Sequence, residues 1–184
     1  MSNYHNITTD DMMNGEGLRV VLWLSGCNHH CENCQNPQTW DPNSGILFDE
    51  AARNELFTEL EKDYISGITF SGGDPLHKNN LDKVLDLINN IKSKFPDKNI
   101  WLYTGYVWEF IKESFEESKK FLQASWKEEL IKRYKIISMC DVLVDGRYID
   151  SARDINAKWR GSTNQRVIDV QKSLKENRVI LFED

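Results

Sequence analysis

Three of the four cysteines in this 184-residue chain fall within eight positions, in the stretch GCNHHCENCQNP (26–37), spaced C-x3-C-x2-C. Thiols kept reduced in a cytosolic setting and packed this tightly point to metal or redox chemistry rather than to structural disulfides. Cys27, Cys31 and Cys34 sit on one short loop and can converge on one small cofactor. A cubic 4Fe–4S cluster usually takes four cysteines. Three local thiolates therefore leave one iron free to meet a small molecule, by the logic that separates open catalytic metal sites from closed structural ones. Two plainer readings compete. The loop could close around a zinc ion with His29 or His30 as fourth ligand, or the cysteines could be unrelated small core residues. Both histidines are otherwise ordinary loop residues, and Cys140, distant in sequence, reads as a small buried hydrophobe.

Other polar or glycine-rich stretches could join this loop. In SGGDPL (71–76), Gly72 and Gly73 would let backbone amides approach a carboxylate, with Ser71 and Asp74 as neighbours. The competing view is a strand-to-helix turn in which Gly and Pro only punctuate. TGY (104–106) is a weaker signal. In DVLVDGRY (141–148), Arg147 could pair bidentately with a carboxylate, and Asp145 could accept hydrogen bonds from a ribose or an amine. A surface ion pair on a turn is the alternative. WRGSTNQRV (159–167) could face a nucleotide or a partner, or be a solvated loop. NGEG (14–17) reads as a tight turn without assigned chemistry, and Trp40 is placed to shield whatever the cysteines hold.

The elements that must position these motifs alternate between strand-like and helix-like segments. LRVVLWLSG (18–26), GITFSGG (67–73), NIWLYTGY (99–106) and IISMCDVLVDGRY (136–148) read as strands. RVID and RVILF near the end are weaker candidates. Helices are expected over 49–63, capped by Asp49, and over 81–95, where Leu81, Val84, Leu85, Ile88 and Ile91 share one face. A further helical stretch, in two pieces, is expected from Trp108 to about Tyr134. This order predicts one α/β domain over 1–184 with a mostly parallel sheet, part of a (β/α) barrel because a full one needs about 250 residues. Each motif follows a predicted strand, where α/β folds bind ligands. The net charge of −6 argues against nucleic acid. Apolar runs too short for a bilayer and a polar start without a signal core predict a cytoplasmic protein that is not in a membrane.

The cysteine spacing followed by the GGDP loop resembles the radical S-adenosylmethionine superfamily. More narrowly, NGEGLRVVLWLSGCNHHCENCQNPQTW, SGGDPL, LYTGY, DVLVDGRY and WRGSTNQRVIDV together resemble the activating proteins of anaerobic ribonucleoside-triphosphate reductases, over roughly residues 14 to 170. That resemblance implies a 4Fe–4S cluster on Cys27, Cys31 and Cys34, and S-adenosylmethionine on the open iron. Reductive cleavage would then generate a glycyl radical on the reductase subunit. It also implies a flavodoxin-like electron donor. The position before the last cysteine is commonly aromatic in the superfamily and packs near the adenine; here it is Asn33, so backbone groups of Asn33, Cys34 and Gln35 would serve instead. Gly72, Gly73, Asp145 and Arg147 are the remaining expected cofactor contacts. Activators of pyruvate formate-lyase are similar in chemistry but usually longer. Small-substrate deazapurine synthases of the superfamily typically keep the aromatic. A chain this short has little left for a lid, so the substrate is expected to be a macromolecule that docks.

Overall fold

The computed structural model describes residues 2–120 and 126–183. One seven-stranded sheet organises it, in the order β3-β1-β2-β4-β5-β6-β7. Its centre is parallel: β2 (Arg19–Leu24), β4 (Gly67–Gly72), β5 (Asn99–Tyr103) and β6 (Val142–Asp145) pair side by side in the same direction. Antiparallel strands flank that centre. β1 (Asn3–Asp11) pairs with β2 and with the two-residue β3 (Ile46–Leu47), and β7 (Arg166–Asp169) pairs with β6.

The helices are α1 (Glu50–Leu60), α2 (Leu81–Lys94), α3 (Trp108–Ser118), α4 (Lys127–Met139) and α5 (Val170–Glu176). Asp49 caps α1 as expected, its carboxylate accepting the Ala52 N–H at 3.0 Å. Strand alternation sorts the core into two faces. Val20, Leu22, Leu24, Ile68, Phe70, Ile100, Leu102 and Leu143 pack against residues of all five helices in one continuous cluster. The opposite face carries Trp101, Val142 and Val144 with Tyr103, Trp159, Val167 and Phe182, and among the described residues no helical one joins them. The sheet is thus covered by helices on one side and by aromatic rings, loops and the chain's end on the other.

Several boundaries differ from expectation. The run 136–148 is not one strand: α4 continues to Met139, with Ile136 and Ile137 buried on its inner side, and the strand is only four residues long. Residues 121–125 of the predicted helical stretch lie outside the described residues. RVID is β7, whereas RVILF contributes only one bridge, Leu181 to Ile168. β1 was not foreseen; only Tyr4 and Ile7 of its side chains are apolar and buried in an otherwise polar segment.

On the helix-free face, Arg19 lies buried and, among the described residues, makes no ion pair. Its guanidinium donates to Thr69 Oγ1, Ile68 O, Asn99 Oδ1 and Glu16 O at 2.6–3.0 Å and lies over the Trp101 ring. Burial lowers its pKa to about 10, still charged at neutral pH. Through these oxygens and Asn14 O, which accepts from Thr69, the NGEG turn is tied to the sheet.

Candidate functional site

The carboxyl ends of the four parallel strands converge on a cavity of about 480 Å³. The loop after β2 brings Cys27, Cys31 and Cys34 to it, the end of β4 and the loop after it bring Ser71, Gly72 and Gly73, the turn after β5 brings Thr104 and Gly105, and the loop after β6 brings Gly146, Arg147 and Tyr148. All three thiols are free and half-buried. Among the described residues, no three His, Cys, Asp or Glu side chains converge closely enough to hold a single metal ion.

Backbone donors surround the sulfurs. The His29 N–H points at Cys27 Sγ (3.5 Å) and the Asn36 N–H at Cys34 Sγ (3.4 Å). Burial pushes the Cys27 thiol up to about 11, with the His29 amide pulling the other way. Burial raises Cys31 too, opposed by the Tyr148 backbone N–H and the Arg147 charge. Protonated thiols in a pocket ringed by N–H donors become good ligands once a metal displaces the proton. The donor set fits an iron–sulfur group: three soft sulfurs on one loop, each near polarising amides, facing a space that a cluster and a further molecule could share.

The cysteine loop is built on close backbone approaches. Gly26, at φ +100°, opens it under the His77 ring, where a Cβ would come within 2.8 Å of Nδ1. The Asp74 N–H donates to Gly26 O and the Gly73 N–H to Leu24 O, each at 2.7 Å. A Cβ on Gly73 would meet Gly26 O at 2.5 Å, and one on Gly72 would meet Leu24 N at 2.5 Å. These two glycines therefore line the cavity and are also demanded by packing between neighbouring loops. Trp40 lines the cavity, stacks on His30 at 4.7 Å, and accepts the Cys27 N–H on its carbonyl.

Cys34, Gln35, Gly72, Gly73 and Arg147 all reach the cavity wall. Arg147 is exposed there, and among the described residues its guanidinium has no hydrogen-bond or ion-pair partner. Asn33 and Asp145 are employed elsewhere. Asn33, left-handed at φ +52°, donates its amide to Asp150 Oδ2 at 2.9 Å, and Tyr148 Oη donates to the other oxygen at 2.7 Å. Asp145 is buried away from the cavity lining; it accepts the Trp108 N–H at the start of α3 and a two-pronged contact from Arg166. That strong pairing with Asp145 and Glu109 raises the Arg166 pKa. The ligand-like look of DGR thus belongs partly to a helix cap.

The sequence offers His29 only as a possible zinc ligand and gives Tyr148 no role. His29 Nε2 lies 2.6 Å from Asp74 Oδ2, both side chains nearly sealed at 7% and 2% exposure. Tyr148 presents its ring beside Gly161 of the RGSTNQR loop, at 3.1 Å from an added Cβ. That loop folds back on Gln165, whose Oε1 accepts the N–H groups of Gly161 and Ser162. The only local signal for either residue was its place beside a cysteine or at a strand end.

A family model for a 4Fe-4S single cluster domain matches residues 13–168. Curated relatives match about nine-tenths of the chain. The chain is 39% identical over 165 residues to the anaerobic ribonucleoside-triphosphate reductase-activating protein of Enterobacteria phage T4, covering 90% of this chain and 92% of that protein. Proteins of the same name from Haemophilus influenzae (36%, 89% and 95% covered) and Escherichia coli K12 (36%, 90% and 97% covered) are similar to it as well.

Proposed function

Because the chain belongs to the family of anaerobic ribonucleoside-triphosphate reductase-activating proteins, we propose that it works as such an activase, cleaving S-adenosylmethionine at a three-cysteine 4Fe–4S cluster to place a glycyl radical on the reductase. The activating function and the cluster domain rest on the relatives and the family model. The ligands, the nucleotide and the remaining site residues are our reading. One observation carries it: the three cysteines, the two glycines of SGGDPL and the unpartnered Arg147 guanidinium share a single cavity at the carboxyl ends of parallel strands.

When bound and reduced, the cluster would supply the electron for reductive cleavage of S-adenosylmethionine, whose 5′-deoxyadenosyl part would in turn take a hydrogen atom from glycine. The protein's share is placement and electrostatics. Cys27, Cys31 and Cys34 would each hold one iron, and the amides near their sulfurs stabilise the thiolates. Arg147 would pair with the amino-acid carboxylate. Gly72 and Gly73 keep that edge free of side chains, so a ligand can lie against the backbone. Asn33 has its side chain turned to Asp150, which leaves its backbone, with Cys34 and Gln35, for the adenine. The one-sided helical cover supports a partial barrel, and we place the docked reductase at the mouth of the cavity, where the strands end. We assign electron delivery to a flavodoxin-like donor on the strength of the family resemblance. Among the described residues no helix is long and apolar enough to cross a membrane.

The test is anaerobic. The protein is reconstituted with iron and sulfide, reduced, and given S-adenosylmethionine with and without a reductase. The expected products are 5′-deoxyadenosine and a glycyl radical signal by electron spin resonance. Cys31→Ser should abolish both, and full activity in that variant would sink the assignment.

A further inference from the structure

His29 lies between two of the cysteines, yet its imidazole points away from a ligand role. Nε2 faces Asp74 Oδ2 at 2.6 Å. The Asp74 carboxylate already accepts three other donors: the Leu76 N–H at 2.8 Å, the Thr104 hydroxyl at 2.9–3.0 Å and the Gly105 N–H at 3.2 Å. A carboxylate so surrounded by donors orients His29 as a donor too. The ring is held from two more sides. Tyr106 meets it edge-on at 4.7 Å, and a Cβ on Gly105 would come within 2.3 Å of Cδ2. The cysteine loop, the SGGDPL loop and the TGY turn therefore meet at one buried carboxylate, and only His29 reaches it from the cysteine loop.

We propose that His29 is a positioning residue: its hydrogen bond to Asp74 fixes the cysteine loop against the glycine loop and so sets where the nucleotide sits relative to the cluster. This rests on the function proposed above and adds a residue to it. Asp74 is consumed by this contact, so it shapes the ligand edge instead of binding an amine. Positioning groups behind metal ligands typically cost 10–100-fold in affinity or activity when removed.

The experiment uses the full chain, reconstituted anaerobically as wild type, His29→Ala and His29→Gln; glutamine can return an N–H near the place of Nε2. Three quantities are read: iron per chain, the change that S-adenosylmethionine causes in the electron spin resonance of the reduced cluster, and KM and kcat for 5′-deoxyadenosine formation. The expected His29→Ala protein keeps its iron and its nucleotide-free spectrum. Its S-adenosylmethionine-induced spectral change is lost or broadened, and kcat/KM falls by about 10–100-fold. His29→Gln should recover most of both. A His29→Ala protein matching wild type overturns the inference, and so does glutamine rescuing no better than alanine. Iron lost from both variants would make His29 a metal ligand and overturn it as well. If wild type loads iron and turns over, such a failure belongs to the inference alone; wild type that never cleaves S-adenosylmethionine defeats the parent function with it.

Discussion

The cysteine loop is tied down on two flanks, and the two ties are built differently. On the inner flank His29 reaches Asp74, where four donor groups of three loops share one carboxylate at 2% exposure. On the outer flank Asn33 reaches Asp150, which also takes the Tyr148 hydroxyl, but Asn33 is exposed and the contact is open to water. The inner tie joins loops that follow three strands of the parallel centre. The outer one joins the cysteine loop to the segment after β6, whose Tyr148 amide lies near Cys31. A buried charge that loses its partners is costly, whereas an exposed pair exchanges protein for solvent at little net change. The inner flank is therefore suited to hold a fixed distance, and the outer flank to part and re-form as something enters the cavity.

The largest expected effect comes from breaking the inner flank at its centre. Asp74→Ala removes the acceptor of His29, Thr104, Leu76 and Gly105 together and leaves buried donors unpaired. Removing one member of a buried charged network costs about 3–5 kcal/mol. Denaturant unfolding of the metal-free protein measures it, and a loss under about 1 kcal/mol would erase the distinction between the flanks.

What sequence could give here was local. Cysteine spacing, glycine after a strand and Asp49 before α1 are each set by neighbours within a few residues, and the structure puts them where expected. The missed features are pairings across the chain. His29 meets a residue 45 positions away, and Asp145 meets Arg166 at 21 and the Trp108 amide at 37. A polar loop side chain looks the same in sequence whether it faces a ligand or a distant partner. β1 escaped for a related reason: it is held by pairing with β2 and β3, and its polar residues carry almost no periodic signal. The strand drawn through 136–148 failed where Ile136 and Ile137 are as well buried on a helix as they would be on a strand.

A smaller effect concerns pH and tests what underlies the inner flank. His77 packs against Gly26, and its Nδ1 accepts the Asn79 N–H, so it must stay neutral on that nitrogen. Burial holds its pKa below the ordinary 6.5 even though Asp74 pulls it upward. Below 6.5 the unfolded chain binds a proton that the folded chain refuses, so stability is full above that pH and falls as the solution is acidified. The slope from this residue is at most about 1.4 kcal/mol per pH unit. The denaturation midpoint should drop between pH 7.5 and 5.5, and drop less in His77→Gln. An equal drop in both would detach His77 from the acid sensitivity.

The smallest effect is expected on the outer flank, provided the backbone is respected. Asn33 sits at φ +52°, where alanine would add strain of its own, so the clean substitution is Asn33→Gly. It deletes the side-chain hydrogen bond to Asp150 and leaves the turn accessible. Asp150 keeps the Tyr148 hydroxyl, the larger of the two influences holding its pKa below the ordinary value, so the acid is not left alone. The melting temperature should move by no more than about 2 °C, and iron bound per chain should match wild type. A shift several times larger, or lost iron, would mean that the exposed contact constrains the loop as firmly as the buried one, and the two flanks would have to be treated as a single clamp.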